Sequence, residues 1–360
     1  MRRVALIGTG LIGGSVGLAM ARAGIEVVGY DRDPARTQRA KELGVVNEVA
    51  SSLRDAVQGA DAVVAAVPVG AIPAVVVDAL DAGAPVVTDV GSVKAPVVVE
   101  VERTRPELAP RFVAGHPMAG SEQDGLDGAD ADLFEGAMWV LTPTERTDPD
   151  AYQALRALVV RLGAEVVAVS PEQHDALVAV VSHVPQLAAS TLMNVANRGN
   201  DEHSVLLRLA AGGFRDMTRI ASSHPAIWPD ICLANRDAIV GALDRYLDEL
   251  TRVRAIVAAG DRTDLLELLE SARAARRNLP TGIPADTTMF ELRIPVPDRE
   301  GVIAEVSTLA ARFAVNISDL EIAHSLEGRS GVLVLVVAER GLDAFEHALA
   351  EHGYHVSRTP

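Results

Sequence analysis

The sequence contains one cysteine, Cys232, among 360 residues, and no unbroken apolar run of membrane-spanning length. A single cysteine excludes an internal disulfide and fits a reducing compartment, and in a helical pattern it is typical of a small buried residue. A membrane span needs about 18 uncharged apolar residues. The apolar stretch near the N-terminus is much shorter and ends in glycines, unlike a signal peptide. We therefore expect a cytoplasmic protein without a membrane partner.

Positive charge is scarce as well. The chain has 33 lysines and arginines against 49 aspartates and glutamates, a formal net charge of −16. Such a chain repels nucleic acid, and no long basic run offsets the repulsion. Its nine histidines lack ligand spacings such as H-E-x-x-H, so we predict no metal site. A small anionic substrate would need a locally positive pocket.

The N-terminal stretch "RVALIGTGLIGGSVGLAMARAG" predicts a strand, a glycine turn and a helix. Gly8, Gly10 and Gly13 have the G-x-G-x-x-G spacing of dinucleotide-binding turns. Gly8 would make the turn, Gly10 would let the backbone approach the pyrophosphate, and Gly13 would let helix and strand pack closely. The first helical N–H groups, at Leu11 and Ile12, would face the phosphates.

A carboxylate follows the second predicted strand. That strand, "EVVGY", leads to Asp31, 18 residues after Gly13, where a carboxylate would bind the adenosine ribose hydroxyls. A carboxylate there repels a 2′-phosphate and favours NAD over NADP, although Arg32 beside it could accommodate that phosphate. A βαβ unit that binds nothing is the alternative.

Short apolar runs alternate with helical patterns up to residue 169. The alternation predicts a doubly wound parallel sheet, a Rossmann domain over residues 1–169. The runs are GVVNEVA, DAVVAAVPV, APVVTDVGSV, RFVAGHPM, AMWVLTP and AEVVAVS. Ligands bind such sheets beyond the carboxyl ends of the strands. Three candidate groups lie in loops that follow strands: Val67-Pro68, Ser92 and His116.

The stretch "AGHPMAGSEQDG" places His116 before a proline and between Gly115 and Gly120. Proline forces the preceding residue out of the α-region, and the glycines permit a tight turn or the close approach of a ligand. The pattern would aim one imidazole at a ligand, and it is also typical of an ordinary turn.

Residues 170–280 predict a helical domain. Ser170, Pro171 and Gln173 form a capping box at its start. Pro185 should kink the helix or free a backbone carbonyl, and His183, two residues earlier, could turn into a cleft. A histidine half-buried on an amphipathic helix is the alternative. The long helices of this part also suggest a homodimer.

Arg215 and Arg219 are four residues apart, on one face of a predicted helix. Two guanidiniums on one face of an acidic protein suggest an anion site. For Arg215 we favour the simpler interpretation, an ion pair with Asp216 or another acid.

The last part of the chain has a different pattern. The stretch "RNLPTGIPADT" is typical of a linker, and residues 287–360 predict the order strand, helix, strand, strand, helix, strand of a ferredoxin-like α+β domain. No catalytic set stands out there, so we predict a separate binding or dimerisation role.

Taken in order, five motifs resemble those of the bacterial prephenate and arogenate dehydrogenases over residues 1 to about 280. They are GTGLIGGSVG, TDVGSVK, GHPMAGSE, SHVPQLAA and FRDMTRIASSHPAIW. The resemblance implies NAD-dependent oxidative decarboxylation of prephenate to 4-hydroxyphenylpyruvate in tyrosine biosynthesis, or of arogenate directly to tyrosine. The tail resembles an ACT domain through "PVPDREGVIAEV" and "VNISDLEI".

The resemblance also implies residue roles. His116 would accept the hydroxyl proton with Ser92 assisting, and Arg219 would hold a carboxylate. The pocket would be completed by His183, Ser121 and Glu122. A tyrosine or phenylalanine effector would bind the tail at Asp298, Gly301, Asn316 and Ile317, unless the tail serves only dimerisation. The family often has an acidic residue at the position of His224.

Two other functions fit parts of the sequence. A β-hydroxyacid dehydrogenase would share the sheet and the helical domain, but those enzymes usually depend on a lysine in the helical part, and no lysine follows Lys94. A non-catalytic sensor would read NAD through the first domain and an amino acid through the tail. The presence of His116, Ser92 and Arg219 together argues against a sensor.

Overall fold

The computed structural model describes residues 1–120, 125–202, 206–276, 289–297, 299–324 and 330–359. The chain forms two compact units, Met1–Thr251 and Arg252–Pro360. The boundary between these units lies within the predicted helical domain, and the predicted division into residues 1–169, 170–280 and 287–360 stays a prediction. The predicted linker, residues 277–287, lies outside the described residues.

The N-terminal part is built on a five-stranded parallel sheet. Its strands are β1 (Arg3–Ile7), β2 (Glu26–Tyr30), β3 (Glu48–Val49), β4 (Ala62–Ala65) and β5 (Val87–Asp89), in the order β3-β2-β1-β4-β5. The connecting helices are α1 (Leu11–Arg22), α2 (Pro34–Glu42), α3 (Leu53–Val57), α4 (Ile72–Asp81) and α5 (Ala95–Thr104). Every residue of β4 and β5 is buried, as expected for parallel strands covered on both faces. The Rossmann-type sheet is therefore confirmed.

The next three predicted strands form a separate small sheet. These strands are β6 (Ala114–Pro117), β7 (Met138–Thr142) and β8 (Glu165–Ala168), with α6 (Pro149–Arg161) between the last two. Strand β6 pairs antiparallel with β7, and β7 pairs parallel with β8. The prediction of one parallel sheet was wrong at this point. Within the described residues a single 3₁₀ turn, and no α-helix, lies between β6 and β7, whereas a parallel pair needs a longer crossover, usually helical.

The helical part begins with a long interrupted helix. The helix α7 (Pro171–Val178) passes through one π-helical turn (Ala179–His183) into α8 (Val184–Glu202). Ser170 caps it as predicted, because its hydroxyl accepts a hydrogen bond from the Gln173 N–H at 3.1 Å. Pro185 has no N–H to complete the α-helical ladder, which accounts for the change of helix type just before it.

Four further helices are α9 (Gly212–Thr218), α10 (Trp228–Ala234), α11 (Arg236–Ala259) and α12 (Arg262–Arg276). By length and composition alone, the helical segment Pro171–Gly199 could cross a membrane, because an 18-residue window within it has a mean hydropathy of 1.5. The segment contains no unbroken apolar run of that length, because polar residues such as His183 interrupt it. The core helix of a soluble protein meets the same criteria of length and composition.

The second unit ends in a four-stranded antiparallel sheet with two helices. The elements are β9 (Met289–Pro297), α13 (Val302–Arg312), β10 (Ile317–His324), β11 (Ser330–Ala338), α14 (Leu342–Glu351) and β12 (Ser357–Thr359). The strand order is β10-β11-β9-β12. Alternate residues of β9 and β11, such as Leu292, Ile294 and Leu333, form one core with both helices.

Candidate active site

The glycine turn after β1 has the geometry that its spacing predicts. Gly8 has φ = +96°, and a Cβ there would lie 2.3 Å from the carbonyl oxygen of Ala66. A Cβ on Gly13 would lie 2.2 Å from the carbonyl oxygen of Gly8. At Gly10, by contrast, an added Cβ meets nothing within 4 Å. Two glycines are thus required by packing, and the third leaves room for a ligand to approach the backbone.

Asp31 closes this turn from the end of β2. Its carboxylate accepts hydrogen bonds from the Thr9 N–H at 2.9 Å, the Thr9 hydroxyl at 3.2 Å and the Asp33 N–H at 3.0 Å. The loop after β4 also reaches the turn, because Val67 Cγ1 lies 3.1 Å from the position of a Cβ on Gly8. The first turn of α1 carries no acidic residue that would repel a phosphate. These residues fit a dinucleotide.

The second part of the site is held by two fully buried charges. Lys94 and Asp89 form an ion pair, and both side chains are 0% exposed. The ammonium also donates to the carbonyl of Gly115 at 2.7 Å, and the Asp89 carboxylate accepts from the N–H groups of Gly115 at 3.1 Å and Gly91 at 2.8 Å. Burial lowers the pKa of Lys94, and Asp89 opposes that shift. The pair therefore fixes both peptide groups of Gly115, immediately before His116.

His116, on β6, is hydrogen-bonded to a histidine of the helical part. Its Nδ1 lies 2.8 Å from Nε2 of His174, and Nδ1 of His174 lies 2.7 Å from the Asp175 carboxylate. The same carboxylate accepts from the N–H groups of Lys94 and Ala95, both at 2.8 Å, and so caps α5. His174 and Asp175 are buried, whereas His116 is half-buried.

His183 is held from its other side. Nδ2 of Asn235 donates to the Asp175 backbone carbonyl at 2.9 Å and lies 3.2 Å from Nδ1 of His183. The Trp228 ring contacts the His183 ring edge-on, with centroids 6.1 Å apart. The histidine lies in the π-helical turn, a feature that frequently occurs at functional sites.

The pKa values of both site histidines, His116 and His183, are lowered. The pKa of His116 is lowered well below 6.5, first by burial and then by the charges of Lys94, His174 and His183. Burial lowers the pKa of His183 to about 4, although Asp175 opposes the shift. Neutral imidazoles are available for proton transfer and hydrogen bonding at neutral pH.

The comparisons with known proteins match two consecutive parts of the chain. The model described as "Prephenate dehydrogenase, nucleotide-binding domain" matches residues 16–168, and "Prephenate dehydrogenase, dimerization domain" matches residues 170–271. A prephenate dehydrogenase of Bacillus subtilis (strain 168) is 36% identical over 339 residues, which cover 92% of this chain and 90% of that protein. The chain belongs to the prephenate dehydrogenase family.

Solved structures agree with this membership. The crystal structure of prephenate dehydrogenase from A. aeolicus, in complex with hydroxyphenyl propionate and NAD+, has a TM-score of 0.71 and 31% identity over 77% of this chain and 97% of that chain. The crystal structure of Synechocystis arogenate dehydrogenase has a TM-score of 0.67 and 29% identity over 76% of this chain and 98% of that chain. A curated relative in Zymomonas mobilis, a cyclohexadienyl dehydrogenase, is 33% identical over 78% of this chain and 97% of that protein. The N-terminal part of the chain is accordingly an NAD-binding domain.

The structure places two further predicted residues of this family member, Ser92 and Arg219, on separate elements. Ser92 is half-buried in the loop between Asp89 and Lys94, whose two ends the ion pair fixes. Arg219 lies on the surface in a 3₁₀ turn (Arg219–Ser222) that packs on α8. The α-helix ends at Thr218, so the shared helical face predicted for Arg215 and Arg219 is interrupted between them.

Ser121 and Glu122 fall outside the described residues. His224 uses Nδ1 to accept from the Ala226 N–H at 3.2 Å, which caps the next turn as a carboxylate would. Pro68 is exposed after β4, and the turn that follows it, Val69–Ala71, packs against α10.

Sequence reasoning missed four residues that hold the site. These are Asp89, His174, Asp175 and Asn235, and Lys94 was noted only as the last lysine. One signal was available, since "EQHDAL" places a histidine and an aspartate in the first turns of a helix that leads to His183. Within the described residues, no group of three or more His, Cys, Asp or Glu side chains could hold a metal ion.

The second unit contains a cavity of about 520 Å³ beside the β9–α13 turn. Gly301, a predicted effector residue, lines it with φ = +86°, together with Arg299, Val302, Ile322 and Leu333. Asn316 and Ile317 lie before and at the start of β10, outside that lining as far as the described residues show. Asp298 lies outside the described residues.

Proposed function

We propose that this protein catalyses the NAD-dependent oxidative decarboxylation of prephenate to 4-hydroxyphenylpyruvate. One observation carries the proposal beyond family membership. The hydrogen-bonded series His116–His174–Asp175 ends in a carboxylate, so each imidazole donates toward Asp175 and Nε2 of His116 is left as a proton acceptor.

The chemistry requires such an acceptor. As the hydroxyl-bearing carbon of prephenate loses a hydride, its hydroxyl must lose a proton, for which we assign Nε2 of His116 with Ser92 assisting. The ring carboxylate then leaves as CO2, and the bonding electrons that it leaves behind make the ring aromatic. No net proton is released, so His116 can return its proton to the phenolic oxygen. Arg219, with His183, Ser121 and Glu122, would bind the remaining polar groups of the substrate.

NAD, when bound, supplies the acceptor for the hydride. Gly8, Gly10 and Gly13 would hold its pyrophosphate with the N–H groups of Leu11 and Ile12, and Asp31 would hold the adenosine ribose. Val67 and Pro68 would border the cofactor from the end of β4. Asp31 already holds Thr9, which keeps its carboxylate in place for ribose recognition.

The test is NADH formation, followed spectrophotometrically with purified protein. His116→Asn is the most informative variant, because the asparagine amide can still donate a hydrogen bond to His174 but cannot accept the substrate proton. His116→Asn should lower turnover by roughly 10²–10⁴-fold and leave NAD affinity near normal. Undiminished turnover in this variant would remove His116 from its role.

The choice between prephenate and arogenate is tested by the same assay. Relatives of this chain include enzymes named for each substrate, and the two substrates differ by a keto group against an amino group. We expect the higher kcat/KM with prephenate. NADH formation with arogenate alone would make the protein an arogenate dehydrogenase, and none with either would favour a sensor.

A homodimer and a cytoplasmic location are parts of the proposal. The match to a dimerization domain over residues 170–271 supports the dimer, as do exposed apolar side chains in the helical part, such as Val181, Val195 and Leu233. The single cysteine supports the location. Light scattering of the purified protein tests the dimer, and a monomer at micromolar concentration would contradict it.

For residues 287–360, we propose an ACT-like domain of ferredoxin-like topology that binds tyrosine or phenylalanine. The cavity beside Gly301 supports this, because it joins an apolar wall to the polar Arg299 and Glu300. Calorimetry of the full chain should detect one amino acid bound with saturable heat. Ile322→Trp, which fills part of the cavity, should abolish that heat and leave basal turnover unchanged. Unchanged heat in this variant would place the amino acid elsewhere.

A further inference from the structure

We propose that His174, Asp175 and Asn235 are positioning residues that hold the two site histidines in opposite tautomers. His116 then presents an acceptor nitrogen to the substrate hydroxyl, and His183 presents an N–H donor to a substrate oxygen. This assignment rests on the proposed function and adds to it the division of work between the two imidazoles.

The tautomer of His116 follows from the end of its hydrogen-bond series. The Asp175 carboxylate can only accept, and it already accepts the N–H groups of Lys94 and Ala95. Nδ1 of His174, 2.7 Å away, must therefore carry its proton. Nε2 of His174 then accepts the hydrogen bond, so Nδ1 of His116 carries the proton and Nε2 of His116 is bare.

The tautomer of His183 follows from a different anchor. The backbone carbonyl of Asp175 is an acceptor, so the Asn235 atom 2.9 Å from it must be the amide nitrogen. That nitrogen has a second hydrogen and lies 3.2 Å from Nδ1 of His183. Nδ1 of His183 is therefore an acceptor, and its proton is on Nε2. Asn235 is 5% exposed, so water does not replace this contact readily.

The charged groups around the pair keep both rings neutral. His116 faces Lys94, His174 and His183, and His183 faces Asp175 and His174. Protonation of either ring is disfavoured by burial and by the other histidines. A neutral ring has one donor and one acceptor nitrogen, so the anchored nitrogen of each ring decides what the other nitrogen can do.

The proposed substrate matches this arrangement. Its hydroxyl is a donor that must be deprotonated, whereas its carboxylate and keto oxygens can only accept. Two acceptor nitrogens would leave a substrate oxygen facing a lone pair, which costs binding in a buried site. One acceptor and one donor satisfy both kinds of group, and they make His183 a binding residue and His116 the base.

The direct test is ¹⁵N nuclear magnetic resonance of histidine-labelled full-length protein at neutral pH. Signals are assigned by their loss in His116→Asn and His183→Gln. We expect protonated Nδ1 and bare Nε2 at His116, and the reverse at His183. Asn235→Asp should invert His183, because a carboxylate accepts from Nδ1. The same tautomer at both His116 and His183 in the wild type would overturn the proposal, whatever the activity.

Steady-state kinetics give a second test with a split readout. Asn235→Asp should raise KM for prephenate by about tenfold and change kcat by less than threefold, since one substrate hydrogen bond is lost. His174→Leu should lower kcat by about 10²-fold or more with little change in NAD affinity. His174→Gln keeps an acceptor for His116 and should recover part of that loss.

The outcomes separate the proposal from the function on which it rests. If His174→Leu fails to fold, His174→Gln and the wild-type spectra still decide. Loss of kcat in Asn235→Asp with an unchanged KM would contradict the role of His183 as a donor. Expected tautomers without NADH formation from prephenate or arogenate would refute the proposed function and leave the positioning roles standing.

Discussion

Replacing Lys94 with methionine removes one charge from an ion pair whose side chains are both fully buried. Methionine keeps the length of the lysine stem, so the change in packing is small. The variant leaves the Asp89 carboxylate without its cation. It also leaves the Gly115 carbonyl without the Lys94 ammonium, which donates to it at 2.7 Å in the wild type. The substitution therefore leaves an uncompensated charge and an unsatisfied acceptor next to His116.

Breaking a buried ion pair from one side costs about 3–5 kcal/mol of unfolding free energy. For a unit of this size, about 2–4 °C of Tm corresponds to each kcal/mol, so Tm should fall by about 6–20 °C. Circular dichroism during heating measures this. The charge of Lys94 lowers the pKa of His116. The variant should therefore have a higher His116 pKa, and the acid limb of its kcat/KM profile should move to higher pH.

The chain offers a matched control, because its only other lysine, Lys41, is exposed on α2. Lys41→Met should change Tm by no more than about 2 °C, as surface substitutions usually do. A double variant, Asp89→Asn with Lys94→Met, removes both charges and should recover part of the lost stability. If Lys94→Met has the same Tm as Lys41→Met, the buried ion pair does not stabilise the site and the reasoning fails.

Three further predictions concern the cofactor turn and His183. Gly8→Ala should lower Tm, because its Cβ would lie 2.3 Å from the Ala66 carbonyl oxygen. Gly10→Ala should leave Tm unchanged and weaken NAD binding, measured by fluorescence titration. Equal Tm values for the two variants would contradict the packing argument. Asp31→Asn removes the charge that repels a 2′-phosphate, so kcat/KM with NADP should rise about tenfold relative to NAD, and an unchanged ratio would place the discrimination elsewhere. The pKa of His183 is about 4 in the folded protein, against an ordinary value of 6.5. The neutral ring therefore stabilises the folded state above pH 6.5, and this stabilisation is lost as the pH falls toward 4. His183→Gln should reduce the loss of unfolding free energy between pH 7 and 4 by about 3 kcal/mol, measured in urea titrations.

The dinucleotide turn could be predicted from the sequence because its requirements are local. Gly8 and Gly13 are needed by contacts with neighbouring backbone, and Asp31 binds Thr9 from the end of the adjacent strand. The capping box at Ser170 is local too. Such features depend on spacing along the chain, which a single sequence displays directly.

The supports of the site could not be predicted in this way. Asp175 caps α5 from 80 residues away, and Asn235 reaches His183 from 52 residues away. Nothing near Ala95 signals that its helix has a distant cap, and Lys94 gives no local sign that it is buried. The antiparallel turn from β6 to β7 was missed for a related reason, since apolar runs predict strands but not their direction.

The hydrogen bond between His116 and His174 joins a strand of the nucleotide-binding half to a helix of the half that follows it. A protein cut after residue 169 would keep the glycine turn and Asp31, but His116 would lose the hydrogen bond to His174 that orients its imidazole. The proposed base thus belongs to the nucleotide-binding half, and the residues that orient it belong to the half that follows. A shift of about an ångström between these two parts would misplace the proposed base while the nucleotide stayed bound, so their contact would couple loss of the proton to loss of the hydride.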